Sequence, residues 1–145
     1  MAVDISVVPI THAIQQAVAP VFLLAGIGAI LNVLTNRLAR IIDRSRNLHA
    51  RLEMVGEEKS ASIHSELLVL TSRARVVNRA IGFSTVSALL VCTVIATLFI
   101  SAVGNWDSGF AVVGLFVLAM MFLIVSLLSF LREIQLATRV ILNGP

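Results

Sequence analysis

The residues that could do chemistry are few, and most share one register. Gly28, Asn32, Asn36, Arg40, Asp43, Asn47 and Arg51 recur at steps of three or four, which puts them on one face of a single helix. Side-chain amides followed by a guanidinium and a carboxylate can bind or pass a polar solute. They do not make a nucleophile with its base. His49 and His64 lie about equally far from Gly56 and could approach across a turn, with Glu53 and Glu66 near. Two histidines without a clear third ligand are a weak metal site, and two solvated surface histidines account for them, so no metal is expected. His12 is isolated. There is no Gly-rich phosphate loop, nucleophile elbow or His-Glu metal helix, and no carboxylate inside an apolar stretch. No enzyme and no cofactor are expected.

The elements that must position the stripe follow from composition. Of the 145 residues, 58% are hydrophobic and 13% charged, with a sequence pI near 10.5 and a mean hydropathy of +0.98. A soluble domain is about half apolar and about a quarter charged, so these departures point to a bilayer. The single cysteine, Cys92, excludes a disulfide or thiolate cluster within the chain. The N-terminal segment Met1–Pro9 holds Asp4 and no Lys or Arg, unlike a cleavable signal peptide, and reads as an uncleaved anchor.

Three apolar segments stand out. Residues 14–35 form the first expected span. Pro20 sits either at its first turn or at a kink. Ala25, Gly26, Gly28 and Ala29 leave one side thin, so Ala25, Gly26 and Ala29 are expected to pack against another helix backbone. Residues 80–103 form the second span, with a milder stripe of Thr93, Thr97 and Ser101. Residues 110–131 form the third, after a tight turn over 104–109 whose Trp106 suits the headgroup belt.

Between the first two spans, residues 36–79 keep a helical period. Leu38, Ile41, Ser45, Leu48, Leu52 and Val55 alternate steps of three and four, as do Ile63, Leu67, Leu70, Ala74, Val77 and Ile81, the pattern of two heptad seams. Gly56 is expected at the C′ position between them, with Glu57 and Glu58 at the positive end of the next helix. The segment reads as an antiparallel helical hairpin. With Leu38 and Ser45 at a and Ile41 and Leu48 at d, Asn32 falls at b, Asn36 and Asp43 at f, and Arg40 and Asn47 at c. The stripe therefore faces away from the seam.

Nine of the eleven Lys and Arg residues lie between Arg37 and Arg79; the others are Arg132 and Arg139. The positive-inside bias then puts the hairpin and the tail, 132–145, in the cytoplasm, and the N-terminal tail, 1–13, and the Trp106 turn outside. Insertion and anionic lipid explain the basic excess, so no nucleic-acid partner is expected.

An amide in hydrocarbon costs several kcal/mol unless bonded, and two arrangements satisfy Asn32. In one, the third span covers the stripe and Ser126 or Ser129 bonds the asparagines. In the other, Asn32 faces copies of itself about a symmetry axis, and Gly28, Asn32, Asn36, Arg40 and Asp43 line a path for a small ion.

The run from Ile14 to Gly28, followed by Leu31-Asn32-Val33-Leu34-Thr35-Asn36-Arg37-Leu38-Ala39-Arg40-Ile41-Ile42-Asp43-Arg44, resembles a family of small bacterial membrane proteins, domain of unknown function 2721, over nearly the whole chain. Asn-Arg-Leu-Ala-Arg-Ile-Ile-Asp-Arg is its most specific part. The resemblance implies a three-span protein of a bacterial cytoplasmic membrane, with no activity attached.

The expected architecture is an all-α integral membrane protein. Three transmembrane helices carry a long cytoplasmic hairpin continuous with the first two. It is expected to assemble as a homo-oligomer in the lipid bilayer. The expected function is a small channel or transport-type pore lined by the first span; the alternative is a membrane scaffold or signalling adaptor whose hairpin docks a cytoplasmic protein.

Overall fold

A computed structural model describes residues 7–144. The described chain is helical throughout apart from its connections, in three elements: α1, Val7–Leu52; α2, Glu57–Gly104; α3, Gly109–Leu142. All three are long and apolar enough to cross a membrane. The expected external tail overlaps α1, because the helix begins at Val7 and passes unbroken through residues 7–13; residues 1–6, including Asp4, lie outside the described residues. Pro20 is buried inside α1 rather than at its first turn. With no N–H, it leaves the Gln16 carbonyl without its helical donor.

The chain divides into two compact units. The first takes the residues up to Ile30 together with Phe83–Ile124. Its core is small: Ala13, Ala17 and Ile27 from α1, Val91 and Val94 from α2, Ala119 and Leu123 from α3. Alanines at these buried positions let the helices approach closely. Ser87 Oγ donates to the Ala119 carbonyl at 2.8 Å, and the Phe83 and Phe122 rings lie tilted at 6.1 Å between centroids. The outer faces expose Phe22, Leu89, Ile100, Phe110 and Val113. Water would penalise such a surface, whereas acyl chains would cover it.

The second unit takes Leu31–Gly82 with the described residues from Val125 onward. Its core is Leu34, Ile41 and Leu48 from α1 and Leu67, Leu70, Val77 and Ala80 from α2. From α3 come the buried Ser126, whose Oγ donates to the Ala80 carbonyl at 2.7 Å, and the buried Glu133. Every position of the two expected seams is buried or half-buried, so the spacing of three and four selects the packed face.

The connections differ in kind. At the end of α2, Asn105 adopts φ 52° and the Trp106 N–H donates to the Ser101 carbonyl at 3.2 Å. This is a Schellman-type stop, with Asn in the left-handed position where it is better tolerated than most side chains. Asp107 then accepts the Gly109 N–H at 3.2 Å and sets the entry to α3. At the other connection, Gly56 is not the left-handed C′ residue expected: no described glycine has positive φ. Its carbonyl instead accepts the Lys59 N–H at 3.2 Å, so it opens α2 rather than closing α1. Glu57 and Glu58 do occupy the first turn of α2.

Candidate functional site

The stripe residues Asn32, Asn36, Arg40 and Asp43 belong to the second unit and are all exposed. The third helix does not cover them. Ser126 spends its hydroxyl on Ala80, and Ser129 donates to the Val125 carbonyl at 2.9 Å. Neither asparagine side chain has a hydrogen-bond partner among the described residues. The arrangement in which α3 of the same chain satisfies them is therefore overturned. The register explains it: the seam that turns Leu34, Ile41 and Leu48 inward turns positions b, c and f outward.

Gly28, in the first unit, is exposed as well, as are Ala25, Gly26 and Ala29. A Cβ built on Gly26 or Gly28 would meet nothing within 4 Å. The thin face thus receives no helix among the described residues. The milder stripe is self-contained: Thr93, Thr97 and Ser101 donate to the carbonyls of Leu89, Thr93 and Leu98, the local back-bonding that hydroxyls adopt in helices. His49 Nδ1 lies 2.9 Å from the Ser45 carbonyl, and both His49 and His64 are exposed. Asp43 makes no ion pair with Arg40 or Arg46; its neighbour Arg44 reaches across to Glu66, at 2.8 Å from Nη2 and 3.2 Å from Nε.

The strongest electrostatic feature lies in the expected tail, residues 132–145. Glu133 is fully buried. Its Oε2 accepts from Arg37 Nη1 at 2.6 Å, and its Oε1 accepts from Arg73 Nη2 at 2.8 Å and Nε at 3.3 Å. Three elements meet at this carboxylate, and the Arg37 guanidinium also lies 5.2 Å over the Phe130 ring, within cation–π range. A signal for it was present. Ala119, Leu123, Ser126, Phe130, Glu133 and Ala137 alternate steps of four and three, so Glu133 occupies a seam position of α3, where a charge must be paired.

Beside this node the second unit opens a cleft of ≈ 530 Å³, walled by Arg37, Arg40, Arg44 and Arg73 with Glu66 and Glu133, and floored in part by Ile41, Leu70 and Ala137. In the first unit, a separate cleft of ≈ 370 Å³ is lined by His12, Gln16, Ser101, Asn105 and Asp107 among others. Its lining carries the carboxylate of Asp107 and neither Lys nor Arg. Among the described residues no group of three or more His, Cys, Asp or Glu is arranged to hold a metal.

The family described as "Protein of unknown function (DUF2721)" matches residues 17–142. No curated protein and no solved structure matches the chain.

Proposed function

The chain belongs to the DUF2721 family of proteins of unknown function, and from that premise we propose a homo-oligomeric membrane protein of channel or transport type, with α1 lining the path. One observation carries the proposal. Asn32, Asn36, Arg40 and Asp43 face outward from the unit that holds them, with neither amide bonded among the described residues. An amide at the edge of an apolar stretch and facing lipid pays a desolvation cost of several kcal/mol. Copies of α1 around an axis remove that cost by giving the amides each other and water. A ring of Asn32 and Asn36 then forms the polar wall, and Arg40 and Asp43 set the charge at its inner mouth.

The placement follows the charge bias. The arginine-rich segment 36–79 and the tail 132–145 are read as cytoplasmic and the Trp106 connection as external, in a bacterial cytoplasmic membrane. An antiparallel hairpin suits the ion pairs. Arg44 meets Glu66, and seven residues back along α1 Arg37 shares Glu133 with Arg73, seven residues on along α2.

Reconstitution in liposomes tests the reading. Ion flux that falls when Asn32→Leu closes the polar wall supports it. An oligomer that passes no ions, or flux indifferent to Asn32 and Asn36, retires it.

The adaptor reading rests on a different observation. Met54 is 89% exposed, Leu68 73% and Val69 48%, apolar surface beyond the seams that a docked protein could cover. Leu68→Asp with Val69→Asp should then abolish capture of a cytoplasmic partner, and a wild-type chain that captures none counts against it.

A further inference from the structure

The cleft of the second unit carries more positive charge than its own carboxylates balance. Four guanidiniums stand against two carboxylates, Glu66 and Glu133. Glu66 is taken by Arg44. Glu133 is shared by Arg37 and Arg73, whose side chains are only 37% and 26% exposed. Arg40 has no ion-pair partner among the described residues. Two partly desolvated arginines on one carboxylate leave a surplus positive charge where water screens it poorly, which is costly unless another anion completes the cluster.

Donor counting points the same way. Arg37 spends a single N–H on Glu133 and keeps others, and Arg40 keeps its whole fork. A guanidinium fork matches an oxyanion with two or more oxygens at bidentate spacing. The position matters too. Arg37 is the first Lys or Arg after the apolar run of α1, and Glu133 lies two positions past Leu131, where the apolar run 110–131 of α3 ends. That is the depth at which phosphates sit in a bilayer of the usual dimensions.

We propose that this cleft binds a phosphate oxyanion, carried by an anionic lipid headgroup or by a free phosphate. Arg40 and the unspent N–H groups of Arg37 hold the oxygens. Arg73 and Glu133 fix the Arg37 guanidinium in place. The binding equilibrium and ion flux are separate readouts, so a chain that binds phosphate and passes no ions retires the conduit and leaves this site standing.

The test uses the full chain in a neutral detergent. Phosphatidylglycerol is titrated with phosphatidylcholine as the blank, and inorganic phosphate with chloride at equal ionic strength. Native mass spectrometry reads the lipid and calorimetry reads the ion. Saturable binding in the first arm alone assigns a lipid headgroup; binding in the second assigns free phosphate. In either case Arg40→Gln weakens it about tenfold, the worth of one charge-assisted contact. Arg40→Lys loses less, and Arg75→Gln, exposed but outside the cleft, stays within about twofold. Glu66→Gln, which removes a negative charge from the rim, tightens binding about threefold and serves as a second readout should Arg40→Gln fail to fold. Binding in neither arm overturns the proposal. So does a wild-type affinity in Arg40→Gln, an equal loss in Arg75→Gln, or weaker binding in Glu66→Gln.

Discussion

At the scale of single residues, the chain concentrates its electrostatic risk on Glu133. A buried carboxylate is tolerable only while its cations stay in place, and removing one partner of such a cluster costs more than the cluster contributes as a whole. Glu133→Gln leaves Arg37 and Arg73 facing each other across a neutral amide. The expected loss is about 3 kcal/mol, read as a lower midpoint for thermal unfolding in detergent. Adding Arg73→Met to Glu133→Gln should recover part of it, because one of the two stranded cations is then gone. The exposed pair Arg44–Glu66 behaves differently. Its side chains are 59% and 42% exposed, so Arg44→Gln should change stability by no more than about 0.5 kcal/mol. A large effect at Arg44, or none at Glu133, would contradict this ranking.

At the scale of elements, each helix is fastened by a seam with few polar contacts across it. Ser87 to the Ala119 carbonyl and Ser126 to the Ala80 carbonyl are buried hydroxyl bonds in different units. Each should be worth about 1 kcal/mol when changed to alanine. Because the two bonds lie in different units, Ser87→Ala and Ser126→Ala together should lose the sum of the two within about 0.5 kcal/mol. The stop of α2 makes a sharper case. Asn105 holds a left-handed conformation, so Asn105→Gly should be neutral or slightly stabilising, and Asn105→Val should cost about 1–2 kcal/mol. Thermal unfolding of the two variants side by side decides it.

How far these elements were legible depends on what each signal measures. The three apolar runs and the two seams were visible because burial in a helical bundle selects residues at steps of three and four, and that selection is written into residue type. The Asn105 stop lay within the expected turn for the same reason: Gly, Asn and Asp cluster where the backbone must reverse. Gly56 was misassigned because a glycine between helices suits either a C′ position or a helix start, and only the backbone angle tells them apart. The outward direction of Asn32 followed from the heptad. What it faces did not, since a seam fixes one side of a helix and is silent about the other. Glu133 was missed because charge was weighed by composition. Beside Arg132 and Arg139 it reads as part of a charged tail, and its seam position shows only when the period of α3 is carried past the apolar run.

At the scale of the whole molecule, the thin face of α1 becomes the test of assembly. Gly26 and Gly28 have no neighbour within 4 Å of where a Cβ would sit, and Ala25 and Ala29 are exposed. A side chain at Gly28 therefore starts into open space among the described residues. If the face is idle, Gly28→Leu leaves oligomeric state untouched and adds only lipid-facing apolar surface. If copies of α1 approach one another there, four extra carbons on every copy push the backbones apart, since small residues are what allow close contact between membrane helices. The expected outcome is an unchanged helical spectrum and a shift to smaller species in native mass spectrometry of nanodisc-released protein. A second variant separates packing from polarity. Asn32→Cys, made with Cys92→Ser so that the one native thiol is gone, should form disulfide-linked dimers on mild oxidation when the amides face an axis. Cross-linking with Gly28→Leu still fully assembled would place the copies against the polar stripe but not the thin face. No cross-link and no change in assembly would mean that α1 meets lipid, and the amides then have no partner to justify a conduit.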